Sequence, residues 1–221
     1  MTRKTVLAAR FCLALAAAAL CFAAFGCSKS APAQAASAPA APAGKELRIV
    51  VVPKVVHPWF DDFNNYAKIA AQELSAQINR PVVIDYRAPE TADVALQNQI
   101  IQQAAATKPA GIVIDLLDYN GTAAVVEEVR KQGISVVFFD AEAPVESGIP
   151  QVGSPSADQA RVAAQYLAKV IGGKGKVAVM RGVPTAPNHE ARYNYYFDYF
   201  KKNYPNITLI QGGIDNDDIQ T

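Results

Sequence analysis

The stretch Pro53-Lys54-Val55-Val56-His57-Pro58-Trp59-Phe60 places a cation, an imidazole and two aromatic rings side by side. Trp59 is the one tryptophan of the chain. An aromatic face suits the apolar C–H face of a small ligand such as a sugar, and the polar neighbours suit its hydroxyls. No glycine-rich turn is present there, which disfavours a phosphate or dinucleotide cradle. Asp140 directly follows the apolar run Val136-Val137-Phe138-Phe139. A carboxylate at that point accepts two hydroxyl hydrogen bonds well. Arg192, with Tyr195 and Tyr196 behind it, offers donors in a fixed fork for adjacent hydroxyls or a carboxylate. Asp115 and Asp118 have a spacing that suggests acid–base work, yet neither a nucleophile nor a partner base accompanies them, and Asp118 serves equally well to begin the turn before a helix. Gly172-Gly173-Lys174-Gly175-Lys176 precedes a strand instead of following one, so it reads as a helix stop, not a phosphate loop. Asp215-Asn216-Asp217-Asp218 lacks the glycine and the closing glutamate of a calcium loop.

Those residues must be held by an alternation of strands and helices. Leu47–Val52, Pro81–Tyr86, Gly111–Leu116 and Ile134–Phe139 are short apolar runs, read as buried strands. Between them lie helical patterns. Phe60–Asn79 carries Phe63, Ala67, Ala70, Leu74 and Ile78 on an inward stripe; 92–107 carries Leu96, Ile100 and Ala104; 122–132 carries Val126 and Val129. This order implies a parallel sheet covered by helices. Residues 140–155 are rich in proline and glycine and connect, with Gln151-Val152 as a short strand. Ser156 to Gln159 reads as a capping box opening a helix to Ile171. A strand at Lys176–Met180, a helix at Glu190–Asn203 with Tyr193, Phe197, Phe200 and Tyr204 inward, and a strand at Ile207–Gln211 follow. Ligands of open α/β sheets sit at the carboxyl ends of the strands, where Lys54 to Phe60, Asp140 and the segment leading to Arg192 all fall.

The front of the chain is different. Arg3, Lys4 and Arg10 precede a continuous apolar run at 11–25, which reads as a secretory signal over 1–26. Ala24-Phe25-Gly26-Cys27 is a loose match to the bacterial lipobox, in which the cysteine is lipidated and the chain cut before it. Ser28 in the next place leans to the outer membrane. Residues 27–44, rich in Ala, Pro and Ser, read as a tether. Removing Arg3, Lys4 and Arg10 from the 21 basic residues leaves 18 against 20 acidic ones, a net charge of −2. Cys12 and Cys21 leave with the signal, so the fold would keep no free thiol once Cys27 is lipidated. The near-zero charge excludes a strongly basic nucleic-acid binder, and two histidines leave little for a metal site. The 51% hydrophobic content of the 221 residues excludes wholesale disorder.

Together these features resemble the sugar-type periplasmic substrate-binding proteins of ABC importers, the ribose- and rhamnose-binding group with the type I periplasmic binding fold. The resemblance runs from about residue 46 to the end. It rests on an ordered set: His57-Pro58-Trp59-Phe60; Gln97 and its helix before Pro109-Ala110-Gly111-Ile112-Val113-Ile114; Gly133 to Asp140; Gly173 to Val179; and Arg192 with Tyr196. It implies an α/β protein with a parallel sheet flanked by helices in an N-terminal lobe, 45–152, and a similar but truncated second lobe, 153–221. By analogy Trp59 and Phe60 stack on the ligand while Asp140 and Arg192 bind its hydroxyls. Val52-Pro53-Lys54 resembles the Pro-Lys of rhamnose and furanosyl-signal binders, where the lysine reaches the ligand. His57 stands where ribose-type members have Asn, and Ala141 where they often have Arg, which argues against plain ribose. The implied role is a lipid-anchored, periplasm-facing sugar receptor whose closed form is read by an ABC permease, with no cofactor, no metal and no catalysis. Family members continue beyond this length, so the chain alone is expected to bind sugar poorly.

Four other readings stand beside this one, and nothing in the residues separates the first of them from it. A periplasmic sensor or chemoreceptor subunit would share the fold, and a non-functional truncated fragment would share the sequence. A sugar-responsive transcription regulator needs a basic helix-turn-helix where the signal stands. An α/β enzyme would need a nucleophile elbow, a dinucleotide fingerprint or a histidine–carboxylate pair, none of which is found.

Overall fold

The computed structural model describes residues 44–218 and 220. The signal, Cys27 and nearly all of the tether lie outside the described residues. β1 (Leu47–Val52), β2 (Val82–Tyr86), β3 (Gly111–Ile114), β4 (Ser135–Phe139) and β5 (Gln151–Val152) form a five-stranded sheet in the order β2-β1-β3-β4-β5. Every pairing in it is parallel. Helices α1 (Pro58–Ile78), α2 (Val94–Ala106) and α3 (Tyr119–Lys131) make the crossovers. β6 (Gly175–Arg181) and β7 (Ile207–Ile214) form a second, parallel two-stranded sheet beside α4 (Ser156–Val170) and α5 (Pro187–Asn203). The expected α/β class with a parallel sheet is therefore observed.

Successive residues of β1 point to opposite faces, and both faces are dry. Val50 and Val52 join Ile101, Ala104, Val126, Val129, Ile112, Ile114 and Phe138 under α2 and α3. Val51 faces the other way, onto Phe60 and Phe139 beneath α1. Burial on both faces explains why these strands read as continuous apolar runs instead of alternating ones. In the smaller sheet Ala164, Ala168, Phe200 and Ile207 make the core, with Tyr196, Tyr199 and Tyr204 packed against it. The opposite face leaves Met180, Ile210 and Ile214 exposed. No helix among the described residues is long and apolar enough to cross a membrane.

Several expected helix faces are displaced. On α1 the buried positions are Phe60, Ala71 and Ser75, while Leu74 and Ile78 are 38% and 44% exposed. The dry stripe lies one residue away from the apolar spacing because Ser75 turns its hydroxyl inward, donating to Ala71 O at 2.6 Å and accepting from Val82 N at 2.8 Å. A polar residue with both bonds satisfied can take a core position that the aliphatic pattern assigned elsewhere. On α2 Ala104 is fully buried as expected, but Gln97 and Ile101 take the dry positions next to Leu96 and Ile100. On α5, Tyr193 and Phe197 pair with each other at 4.9 Å, and Arg181 lies over the Tyr193 ring, so Phe200 carries the core stripe with Tyr196 and Tyr199.

The Ser156 capping box does not form. Pro155 occupies the cap position of α4 and the Ser156 hydroxyl has no partner. Glu142 reaches across instead and accepts from Ser156 N at 2.6 Å, satisfying the helix end from a distance. Asp118, by contrast, caps α3 by accepting from Asn120 N at 2.9 Å. Gly172 and Gly173, at φ +68 and +72, stop α4 in the left-handed conformation that glycine adopts freely.

The displaced faces of α1 and α2 have a direct thermodynamic consequence. Ile101→Ala, at a fully buried site, is expected to cost about 2–5 kcal/mol. Leu74→Ala, on the stripe that sequence spacing placed inward, should change stability by less than about 0.5 kcal/mol. Urea unfolding of the two variants measures both; a large loss at Leu74 would contradict the packing described.

Candidate functional site

The site begins where adjacent strands of the larger sheet end. Lys54 follows β1 by two residues, Asp115 directly follows β3 and Asp140 directly follows β4. Because β1, β3 and β4 are parallel neighbours in near register, the three side chains converge at their carboxyl ends. The Lys54 ammonium lies 3.1 Å from Asp115 Oδ2 and 3.3 Å from Asp140 Oδ2. It donates a further bond of 3.2 Å to Asn188 Oδ1, on the first turn of α5. Lys54, Asp115 and Asn188 are all buried, at 1%, 0% and 0% exposure. Asn188 Nδ2 in turn donates to Asp140 Oδ2 at 2.6 Å.

Backbone features hold this cluster. Gln97, fully buried on α2, donates from Nε2 to Pro53 O at 3.0 Å and to Asp115 O at 2.7 Å, and accepts from Leu117 N at 3.2 Å. One amide therefore braces both loops that carry the charges. Asp140 sits at φ +56, a left-handed conformation uncommon for a residue with a side chain but tolerated by Asp. Gly153 packs so closely that an added Cβ would lie 3.4 Å from three backbone atoms of Asp140. Ala141 N donates to Asp115 Oδ1 at 3.2 Å, tying the loops together from below.

Over this floor opens a cavity of about 810 Å³. Its volume falls in the ~300–1,000 Å³ range of small-molecule sites. One wall is aromatic. Phe63 and Phe139 stack at 4.3 Å with a 16° tilt, and Trp59 lies nearly parallel to Phe63 at 6.3 Å. Phe60 stands edge-on to both Trp59 and Phe139. Gln159 and Arg192 also line the cavity, with Arg192 Nη1 donating to Gln159 Oε1 at 3.3 Å. His189, Tyr196 and Asp217 line it as well.

All six residues singled out in the sequence, Lys54, His57, Trp59, Phe60, Asp140 and Arg192, line this one cavity. Their situations differ. Trp59 is 51% exposed and presents its ring; Phe60 is 4% exposed and belongs mainly to the core. His57 caps α1, its Nδ1 accepting from Trp59 N at 3.2 Å. Arg192 lies in the second turn of α5, which begins at Pro187 rather than near Glu190. Sequence reading missed Phe63, Phe139, Asn188, Gln159, His189 and Asp217. Phe139 could have been found as the last β4 residue before Asp140. Asn188 carried no signal, since an Asn near a helix start ordinarily reads as a cap.

Burial pushes the Asp115 carboxyl up to about 7, against the pull of the adjacent Lys54 ammonium. Burial, reinforced by the charges of Lys54 and Arg192, pushes His189 down to about 4. A neutral His189 matches its bonding: Nδ1 accepts from Val183 N at 2.9 Å, which a protonated Nδ1 could not do. Asp217 Oδ1 is 3.9 Å from the same nitrogen and is also pushed up by burial. Among the described residues no group of His, Cys, Asp and Glu is placed to hold a metal ion.

Comparison with known proteins places these features in context. The family described as the periplasmic binding protein domain matches residues 48–221. A solute-binding protein of an ABC transporter from Burkholderia graminis, solved in complex with D-arabinose, is 27% identical with a TM-score of 0.70. The match covers 79% of this chain and 58% of that one. A glucose-galactose binding protein from Geobacillus stearothermophilus is 25% identical, with a TM-score of 0.69 and coverage of 78% and 59%. An arabinose binding protein from the same organism is 25% identical, with a TM-score of 0.62 and coverage of 78% and 57%. The chain thus spans 58% and 59% of the first two structures' own lengths. No curated protein sequence matches it.

His189 and Asp115 pull stability in opposite directions. His189 has a folded value below its ordinary 6.5, so its contribution is present above about 6.5 and lost as pH falls toward about 4. Asp115 has a folded value above its ordinary 3.8, so its contribution is present at low pH and lost as pH rises through about 7. NMR of the imidazole nitrogens should find His189 titrating near pH 4, with Nδ1 unprotonated above that. A His189 midpoint close to 6.5 would contradict the buried, acceptor-only geometry.

Proposed function

The chain belongs to the periplasmic binding protein domain family, and from that premise we propose that it forms the sugar-binding part of an ABC importer's solute receptor, with no chemistry of its own. The observation that carries this reading is the meeting of aromatic rings and charged or polar side chains in the lining of one cavity. Trp59, half exposed, offers a ring face to the C–H side of a sugar ring, with Phe63 stacked behind it on Phe139. Asp140 accepts hydroxyl hydrogen bonds and Arg192 donates them. Phe60 supports the wall from the core, and His57 sets the position of Trp59 by capping its helix. Lys54 orients Asp140 from beneath.

The cavity holds both signs of charge, with Asp140 and Asp217 set against Arg192 and the buried Lys54. That balance suits a neutral polyhydroxylated guest. We assign residues 45–152 to an N-terminal lobe and 153–221 to part of a second one, which closes over the ligand and is read by transmembrane permease subunits. We also assign residues 1–26 to a signal, Cys27 to lipidation and residues 27–44 to a tether, giving a receptor held at the membrane on the periplasmic side.

Trp59 is the only tryptophan and therefore a clean reporter. Titration with D-arabinose should shift its fluorescence with a midpoint of about 1 mM, and Asp140→Ala should raise that midpoint by at least ~10-fold. An emission that stays flat for pentoses, hexoses and deoxyhexoses up to about 100 mM would overturn the assignment. Metabolic labelling with a tagged fatty acid in a bacterial host should mark the chain, and Cys27→Ser should abolish the label. Equal labelling of both would remove the anchor.

A further inference from the structure

Asp115 lies beneath the cavity and takes no part in its lining. It is 0% exposed, and its chain neighbours Ile114, Leu116 and Leu117 are as dry. Its backbone is held in place: Asp115 N donates to Val52 O at 3.0 Å, and Asp115 O accepts from Gln97 Nε2 at 2.7 Å. Its Oδ1 accepts one bond, from Ala141 N at 3.2 Å. Its Oδ2 has no directed hydrogen bond and meets the Lys54 ammonium, 3.1 Å away, as a charge alone. That ammonium aims its bonds elsewhere, at Asp140 Oδ2 (3.3 Å) and Asn188 Oδ1 (3.2 Å). Two carboxylates therefore share one cation, and the deeper of them has the poorer share. A carboxylate so placed is the one that takes up a proton more readily.

We propose that Asp115 is a positioning residue that sets the acceptor strength of Asp140 through the cation they share, so that loss of its proton tightens ligand binding. The proposal rests on the sugar reading of the cavity. With Asp115 neutral, the Lys54 charge is left to Asp140 and offsets most of its own. With Asp115 ionised, the ammonium is divided, and Asp140 meets a hydroxyl with more of its charge intact. Hydrogen bonds to an ionised acceptor are about twice as strong as neutral ones. Burial sets the change at about pH 7, so affinity rises as pH passes upward through that value. The coupling is reciprocal, and a bound ligand lowers the Asp115 midpoint by the same factor. The charges acting on Asp115 are those of Lys54, after β1, and Asp140, after β4. Gln97 of α2 and Asn188 of α5 face the cluster as neutral amides. Above it the cavity lining holds His57, His189, Arg192 and Asp217. His189 titrates near pH 4, which leaves His57 as the competing source of a step near neutrality.

Carboxyl-carbon NMR of the full-length chain without sugar tests the coupling. Asp115 should titrate at about pH 7, and the Asp140 carboxyl signal should shift with the same midpoint. Asp115→Asn, of the same shape but uncharged, should remove that step from Asp140. An Asp140 signal with no step near pH 7 in the wild-type chain overturns the proposal, whether or not the variant folds. A step that persists in Asp115→Asn belongs to His57 and overturns it too. The Trp59-detected midpoint for D-arabinose should fall about 5-fold from pH 6 to pH 8 in the wild-type chain and stay level in Asp115→Asn. Equal midpoints at both pH values in the wild-type chain overturn the tightening. A chain that ignores sugar at every pH defeats the receptor reading alone, since the carboxyl titration does not depend on it.

Discussion

A buried ammonium needs oxygens around it, and much of this site follows from that requirement. Lys54 is almost fully removed from water. An unpaired charge there would cost several kcal/mol at least. The cost is met by drawing together the ends of β3 and β4 through Asp115 and Asp140, and the start of α5 through Asn188. The carboxylates outnumber the cation, and the upward push on Asp115 is the electrostatic response to burial beside a second carboxylate. The strained backbone of Asp140, the tight approach of Gly153 and the bracing amide of Gln97 all serve the same convergence.

The parallel sheet makes that convergence possible. Neighbouring strands in register end at one level, so residues just past β1, β3 and β4 meet without any contact along the sequence. The aromatic wall is built on the other sheet face, where Phe139 of β4 stacks on Phe63 of α1 and Trp59 continues the stack toward the opening. Rings packed on the core and polar groups packed on a charge cluster leave few side chains free to adjust. Rigidity on both walls favours a guest that matches an existing shape over one that must order the site as it enters.

Much of this was legible in the residues. Continuous apolar strands announced a sheet buried on both faces, and the carboxyl-end rule pointed to Lys54 through Phe60 and to Asp140. What escaped had a common cause: a polar side chain took a position that the apolar pattern could not describe. Ser75 moved the dry face of α1 by satisfying two backbone groups, Glu142 replaced the Ser156 cap from a distant loop, and Asn188 joined two sheets while looking like an ordinary helix-start residue. Side-chain hydrogen bonds of this kind leave no periodicity. Phe63 was read correctly as inward on α1, but its second role, as a face of the cavity, depended on where Phe139 stood.

The central claim is that one cavity takes a sugar between the Trp59–Phe63 rings and the Asp140 carboxylate. Intermolecular NOE contacts between D-arabinose and the full-length chain test it most directly. The account predicts contacts from the sugar C–H protons to the ring protons of Trp59 and Phe63, lost when Asp140 is replaced by alanine. Sugar contacts confined to residues elsewhere on the surface, with Trp59 and Phe63 silent, would contradict it.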